Sequence, residues 1–235
     1  SLLSGVLKIP LSISYIGIGT FSDCMELSGN LVIPKSILSI GISAFSGCSG
    51  LNGTLTIPNS VTYIGHSAFS DCTRLTGSVE IPDSVNYIGN SAFSRCHGFN
   101  GQLTFPKSIT VIEHSTFYNC VQLKGSLKIP NSVTRIGKCA FYGCSGFTGT
   151  LIIHESVKII EPSSFCGCNH FSKLKIKNFK LFIDDESFKS TNFSVVIYNG
   201  AYDLKCGVRV FPGDQVLSLS PDYTSFKFCG LDIDK

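Results

Sequence analysis

Apolar and polar positions along this chain recur with a period of 24 residues. Within one period, Val79 and Ile81 alternate with Ser78 and Glu80, which is the two-residue periodicity of a strand with one buried face. Pro82 then ends this strand, because it has no N–H to donate and restricts the residue before it. The pattern predicts one short strand in each period, closed by a proline turn.

The remainder of the period predicts two further short elements. Residues 84–89 form a second extended segment that a glycine turn closes. The following Ala92, Phe93 and Cys96 place an aromatic ring and a thiol three residues apart, which predicts one inward-facing turn of 3-10 or α-helix. The serine after each proline repeats once per unit, so we interpret it as a turn residue that bonds its own backbone.

The same residue types recur in one register through seven successive units, which excludes a chance pattern. One such unit cannot bury its own apolar side chains, whereas a stack of like units buries them as continuous ladders. The sequence therefore predicts a solenoid. The cysteines that mark the seven units are Cys24, Cys48, Cys72, Cys96, Cys120, Cys144 and Cys168.

The repeat strings IPNSVTYIGHSAFSDC, IPDSVNYIGNSAFSRC and IPNSVTRIGKCAFYGC resemble the BspA-type leucine-rich repeat. That family occurs in surface proteins of oral and treponemal bacteria and of mucosal protists. The resemblance implies a leucine-rich-repeat solenoid with a parallel β-sheet on the concave face and short strands and 3-10 turns on the other faces. It also implies adhesion at a cell surface, with ligands bound on the concave sheet.

We divide the chain into a solenoid over residues 1–198 and an irregular C-terminal cap over residues 199–235. The solenoid holds seven 24-residue units from about residue 3 to 170, followed by degenerate units. His154 replaces the repeat proline, while Glu113 and Glu161 replace the turn glycine. Because the chain opens inside a repeat and shows no secretory signal, we expect further repeats before Ser1.

Composition and motifs argue against several functional classes. A net charge of +3 is too small for a nucleic-acid-binding face, and no apolar run reaches the ~18 residues of a membrane span. There is no G-x-S-x-G elbow and no C-x-x-C pair, so we predict no enzyme, no metal site and no cofactor. The repeated cysteines are interpreted as small buried apolar residues. Whether Cys206 and Cys229 are bonded to each other is left open.

The candidate ligand-binding residues are those that point outward from the predicted strands. Lys173, Lys175 and Lys177 alternate with Leu174 and Ile176, so their ammonium groups share one side and suit a sulfated or sialylated polysaccharide. The alternative is a solvated edge strand, where lysines block unwanted pairing. The other outward residues are small and mostly polar, namely Thr54, Thr56, Ser78, Glu80, Gln102, Thr104, Ser126, Lys128 and Thr150.

The sequence favours a recognition module at the cell surface or outside the cell, which binds a host or extracellular-matrix protein or a glycan. The alternative is a structural or scaffolding solenoid for protein–protein interaction inside the cell. Eleven cysteines, seven of them without an evident partner, are compatible with that reducing environment. No nucleic acid or membrane insertion is expected, and the oligomeric state is left open.

Overall fold

The computed structural model describes residues 3–201, 203–212, 217–219, 221, 227–229 and 231–232. This part of the chain forms strands and turns, and no helix is assigned in it. The strands in chain order are β1 (Ser4–Val6), β2 (Tyr15–Ile16), β3 (Glu26–Ser28), β4 (Leu31–Val32), β5 (Ser39–Ile40), β6 (Leu55–Thr56), β7 (Tyr63–Ile64), β8 (Val79–Glu80), β9 (Tyr87–Ile88), β10 (Leu103–Thr104), β11 (Val111–Ile112), β12 (Arg135–Ile136), β13 (Gly149–Ile153), β14 (Ile159–Ile160), β15 (Phe171–Ile176), β16 (Phe182–Ile183), β17 (Val195–Tyr198), β18 (Lys205–Cys206), β19 (Leu217–Leu219), β20 (Lys227–Phe228) and β21 (Leu231–Asp232).

The strands stack in parallel along two sides of a solenoid. One side, here called the strand face, carries β4–β6, β8–β10 and the four-stranded sheet β13–β15–β17–β19. The second face carries β2–β5–β7–β9 and the five-stranded sheet β11–β12–β14–β16–β18. Each strand of the second face marks one coil, and we number the coils 1 to 9 in that order. The predicted parallel solenoid is confirmed.

A proline turn follows β4, β6, β8 and β10 as predicted, but its serine acts differently from the prediction. Val61 N donates to Pro58 O at 3.1 Å and closes the turn. Ser60 Oγ donates not to its own turn but to Ile37 O of the preceding coil, at 2.7 Å. Ser84 repeats this bond one coil later. The serine therefore joins neighbouring coils, which explains why it recurs in register.

The predicted turn around the phenylalanine and cysteine is a single 3-10-type turn that does not continue into a helix. Cys48 N does donate to Phe45 O at 3.2 Å, but Ser43 and Gly47 adopt the left-handed region, with φ of 52° and 72°. A helix cannot continue through such residues. Phe45 N instead donates to Ala68 O of the next coil at 2.8 Å, so this third side of the solenoid is also a ladder between coils.

The core is a stack of identical side chains from successive coils. Phe93 is fully buried, with its ring 5.2 Å from that of Phe69 and 5.3 Å from that of Phe117. The repeated cysteines lie buried beside this stack, and Cys96 Sγ donates to Phe69 O at 3.0 Å. A thiol here fills a small apolar space and also supplies a weak donor to a carbonyl.

The parallel ladders continue beyond residue 198. Strand β18 pairs with β16, and β19 pairs with β17 in the same register as the earlier coils. Cys206 and Cys229 form a disulfide, with their Cα atoms 5.2 Å apart. The boundary of the cap at residue 199 stays a prediction. In the described part of the chain, no helix has the length and apolar character needed to span a membrane.

Replacing Phe93 by alanine should lower the free energy of unfolding by about 3–5 kcal/mol, because the cavity cannot collapse between two rings held by their own coils. Urea denaturation followed by circular dichroism would measure the loss. Thr104→Ala on the exposed strand face is the control, with an expected change within about 0.5 kcal/mol. If Phe93→Ala lowered the free energy of unfolding as little as the control does, the phenylalanine stack would not be the main source of stability.

Thiol titration should separate the cysteines into three groups. In the native protein at pH 8 the repeated cysteines should not react, because burial raises the pKa of Cys48 and Cys120 to about 12. Half-buried Cys139 should react first, and a Cys139→Ser variant should lose that signal. Denaturation should expose nine thiols, and reduction of the Cys206–Cys229 bond should add two more. Eleven thiols before reduction would disprove the disulfide.

Candidate functional site

The strand face presents the outward residues that the alternation predicted. Ser78, Thr150, Lys175 and Lys177 are half-buried. The others are exposed, namely Thr54, Thr56, Glu80, Gln102, Thr104, Ser126, Lys128 and Lys173. The structure therefore aligns all of them along one side, although this placement does not test whether they bind a ligand.

The strand face is not one continuous sheet. Strands β4 and β6 are bonded, with Leu31 N donating to Thr54 O at 2.9 Å, and β8 and β10 are bonded in the same way. Among the described strands no ladder joins β6 to β8, although an isolated bridge links Thr54 to Thr76. A groove of about 300 Å³ lies at this break, and Thr56 and Glu80 are among its lining residues.

Side chains take part in the ladder where coils are paired. Asn30 Oδ1 accepts a hydrogen bond from Thr54 N at 3.0 Å. Ser78 Oγ accepts one from Gln102 N at 3.1 Å, two coils further on. A Cβ on Gly53 would collide with the Asn30 side chain, so glycine is needed there.

A feature of the sequence, not used in the 24-residue pattern, marks which coils are paired. Asparagine precedes the turn glycine in every second unit, at Asn52 and Asn100. Asn52 Oδ1 accepts from Gly29 N at 2.9 Å, and Asn100 Oδ1 accepts from Gly77 N at 3.1 Å. In this region the repeat therefore has a 48-residue superperiod, which could have predicted the breaks in the sheet.

The N-terminal end of the strand face is apolar. A groove of about 720 Å³ runs beside β4 and β6, and its lining includes Val32, Pro34, Ile57 and Pro58. Val32 is 57% exposed, whereas Thr56 and Glu80 occupy the equivalent outward positions of the next two coils. The face thus offers apolar contact area at this end and hydrogen-bonding groups along its middle.

The C-terminal end of the strand face is basic. Thr150 of β13 pairs in register with Lys173 of β15, and Lys175 and Lys177 follow at alternate positions. The ion pairs found in the described residues do not involve these three lysines. Their charges are thus available to an anionic ligand. We call these three lysines the lysine row.

A polar hollow of about 300 Å³ adjoins the lysine row. Asn131, His154, Glu155, Ser156 and Lys177 line it. Burial, followed by the charge of Lys177, lowers the pKa of His154, and Glu155 acts in the opposite direction. Ser156 Oγ is buried, and the structure gives it no hydrogen-bond partner, unlike the equivalent serines of coils 3 to 6. This hollow could hold a small polar group of a ligand.

A cluster of charges on the second face was missed from the sequence. Arg135 lies 3.0 Å from Glu113 and 2.8 Å from Glu161, and His114 Nδ1 lies 3.3 Å from Glu161. Burial raises the pKa of Glu161, but hydrogen bonds from Arg135 and Lys138 N outweigh it and leave that pKa below its ordinary value. The sequence did contain a signal for this cluster. Two glutamates occupy the glycine position of alternate coils, and an arginine lies on the coil between them.

Two histidines of the second face also make contacts between coils. His114 contacts Glu161, while His66 Nδ1 accepts from Asn90 N at 3.0 Å. Within the described residues no three side chains of His, Cys, Asp or Glu converge as a metal site requires. The charge cluster therefore joins coils, and the strand face is the better candidate for a ligand.

Comparisons with known proteins agree with this architecture. The model of the BspA type leucine-rich repeat region matches in six copies, over residues 6–124 and 100–205. A search of curated proteins finds no sequence match at the significance required.

Two solved structures share the fold. A leucine-rich-repeat protein from Bacteroides ovatus is 25% identical, with a TM-score of 0.68 over 97% of this chain. This chain spans only 65% of the length of that protein. A leucine-rich-repeat protein of T. pallidum is 29% identical, with a TM-score of 0.59 over 69% of this chain and 76% of the other. With the family model matched along most of its length, this chain belongs to the BspA-type leucine-rich-repeat family.

Proposed function

We propose that this chain is a recognition module at a cell surface, and that its strand face binds a host or extracellular-matrix protein. The observation that carries the proposal is the gradient along this face, from the apolar groove at Val32 and Ile57 to the lysine row. A protein ligand needs an apolar contact area together with a polar rim. Family membership supports protein–protein interaction in general. The extracellular location of this interaction is part of our proposal.

The rigid core supports this assignment. The outward residues stand between side chains that pack into the core, as Glu80 does between the buried Val79 and Ile81. A ligand therefore meets a preformed surface, and little side-chain or backbone order has to be gained on binding.

A cell-surface location is also compatible with the free cysteines. Buried thiols react slowly with oxidants, so the seven repeated cysteines can persist beside a disulfide in an oxidising compartment. The scaffolding alternative inside the cell keeps the same strand face and changes only the partner.

A second candidate ligand is a sulfated or sialylated glycan at the lysine row. Three lysines without ion pairs, next to a hollow that contains Asn131 and a buried Ser156 hydroxyl, suit an acidic group with several oxygen atoms. This interaction would be more sensitive to salt than binding along the strand face.

Changing Thr56, Glu80, Thr104 and Lys128 together to alanine should weaken binding to host cells or matrix proteins at least about tenfold, because central interface residues each contribute about 1 kcal/mol or more. Surface plasmon resonance would measure it. The matched control changes outward residues of the second face to alanine, at Asn86, Thr110, Thr134 and Lys158. If both variants bind like the parent, the ligand lies elsewhere, and if the parent binds no such ligand, the scaffolding alternative is favoured.

Replacing Lys173, Lys175 and Lys177 by glutamine should abolish binding to sulfated or sialylated members of a glycan array while leaving the fold intact. The parent's affinity should fall steeply between about 0.05 and 0.5 M salt, as expected for charge attraction across solvent. A variant with Lys35, Lys107 and Lys124 changed to glutamine is the control of equal charge. If both variants lost glycan binding to the same extent, net charge and not the lysine row would be responsible for that binding.

A further inference from the structure

The most exposed apolar side chains of the second face lie in coils 1 and 2. Large apolar side chains are exposed there at Tyr15 (66%), Ile18 (77%), Leu38 (53%) and Ile42 (38%). The equivalents of Leu38 and Ile42 in coil 3 are Thr62 and a histidine. The repeat thus tolerates polar residues at these positions, and the fold itself does not require the apolar ones.

This patch does not result from an uncovered end of the stack. Coil 2 has a bonded neighbour on each side, because Leu38 N donates to Ser14 O at 2.7 Å and Thr62 N donates to Leu38 O at 2.8 Å. Leu38 and Ile42 remain exposed between these neighbours, so another coil stacked on coil 1 would not cover them.

The same patch contains an interrupted aromatic stack. The register of the second face places Tyr15, Ser39, Tyr63 and Tyr87 in line on successive coils. The rings of Tyr63 and Tyr87 stack with their centroids 5.1 Å apart and their planes 12° apart. Ser39 interrupts this stack, because its side chain has no ring.

The gap above Ser39 has the thickness of one ring. Coils rise by about 4.8 Å, so Tyr15 and Tyr63 stand roughly 10 Å apart across coil 2. A planar ring placed midway lies about 5 Å from each tyrosine, which is a normal stacking separation. We call this gap the Ser39 slot. The register places Tyr15 and Tyr63 on either side of Ser39, and Leu38 and Ile42 are exposed on the same coil as Ser39.

We propose that the Ser39 slot binds an aromatic side chain presented by a protein partner. The neighbouring Leu38, Ile42 and Ile18 supply apolar surface for the rest of such a segment. A pyranose fits the slot less well, because its ring hydroxyls would face these apolar side chains and lose hydrogen bonds to water. The slot lies on the second face, so it is separate from the strand face and does not depend on the function proposed for it.

The test uses the whole chain and small probes of defined chemistry. Saturation-transfer NMR would measure the binding of N-acetyl-tryptophanamide, with N-acetyl-leucinamide and methyl glucoside as the aliphatic and pyranose probes. The tryptophan probe should bind at least about fivefold more tightly than either, since both faces of its ring stack on tyrosine. A Ser39→Tyr variant fills the slot and should abolish binding. Tyrosine already occupies this position in coils 3 and 4, so the variant should fold.

Two further variants separate the slot from its surroundings. Val111→Tyr places a tyrosine at the equivalent position of coil 5, away from the slot, and should leave binding unchanged. Tyr15→Ser removes one wall and should weaken binding, with the fold confirmed by circular dichroism. Unchanged binding in Ser39→Tyr, equal affinity for the leucine probe, preference for the glucoside or no binding of the tryptophan probe would each overturn the proposal.

Discussion

Hydrogen bonds between coils are the constraint on which the rest of this structure depends. Most of its strands are only two residues long, so the backbone must find its partners in neighbouring coils on all three sides. The spacing of those bonds also matches aromatic stacking, and Phe45 and Phe69 lie 5.5 Å apart at the same rise. The buried positions that make these bonds and stacks therefore recur in every coil, and both persist where a coil is one residue shorter, as between Phe165 and Phe188. The outward positions are free to vary.

That freedom explains how one scaffold can carry different surfaces. Val32, Thr56 and Glu80 occupy the same outward position in successive coils, each between two apolar residues that pack against the core. Changing one of them alters the chemistry of the face without disturbing the core. The Asn52 and Asn100 side chains add a second level of order, because they tie coils together in pairs and open a groove between the pairs.

The sequence predicts well whatever depends on burial, because burial repeats in every coil. Strand alternation, the phenylalanine and cysteine ladders and the shared side of Lys173 and Lys175 all follow from this. It predicts poorly what depends on a neighbouring coil. The left-handed Ser43 has no glycine to reveal it, and the bond from Ser60 to Ile37 crosses 23 residues. At Ser43 a ladder between coils limits the local preference for helix to a single turn, and at Ser60 a bond to the preceding coil replaces the expected bond to the residue's own backbone.

The same distinction between buried and outward residues affects whether the protein can persist in an oxidising compartment. Counting cysteines treats every thiol alike and favours a reducing interior, but chemistry depends on access to the thiolate. The repeated cysteines are buried, and Cys96 donates its proton to a carbonyl, so oxidants would reach them only after coils separate. Cys206 and Cys229, by contrast, lie where the regular repeat ends and are joined to each other. The distribution of thiols is therefore what an oxidising environment permits, since the repeated ones are buried and the Cys206 and Cys229 sulfurs are bonded to each other.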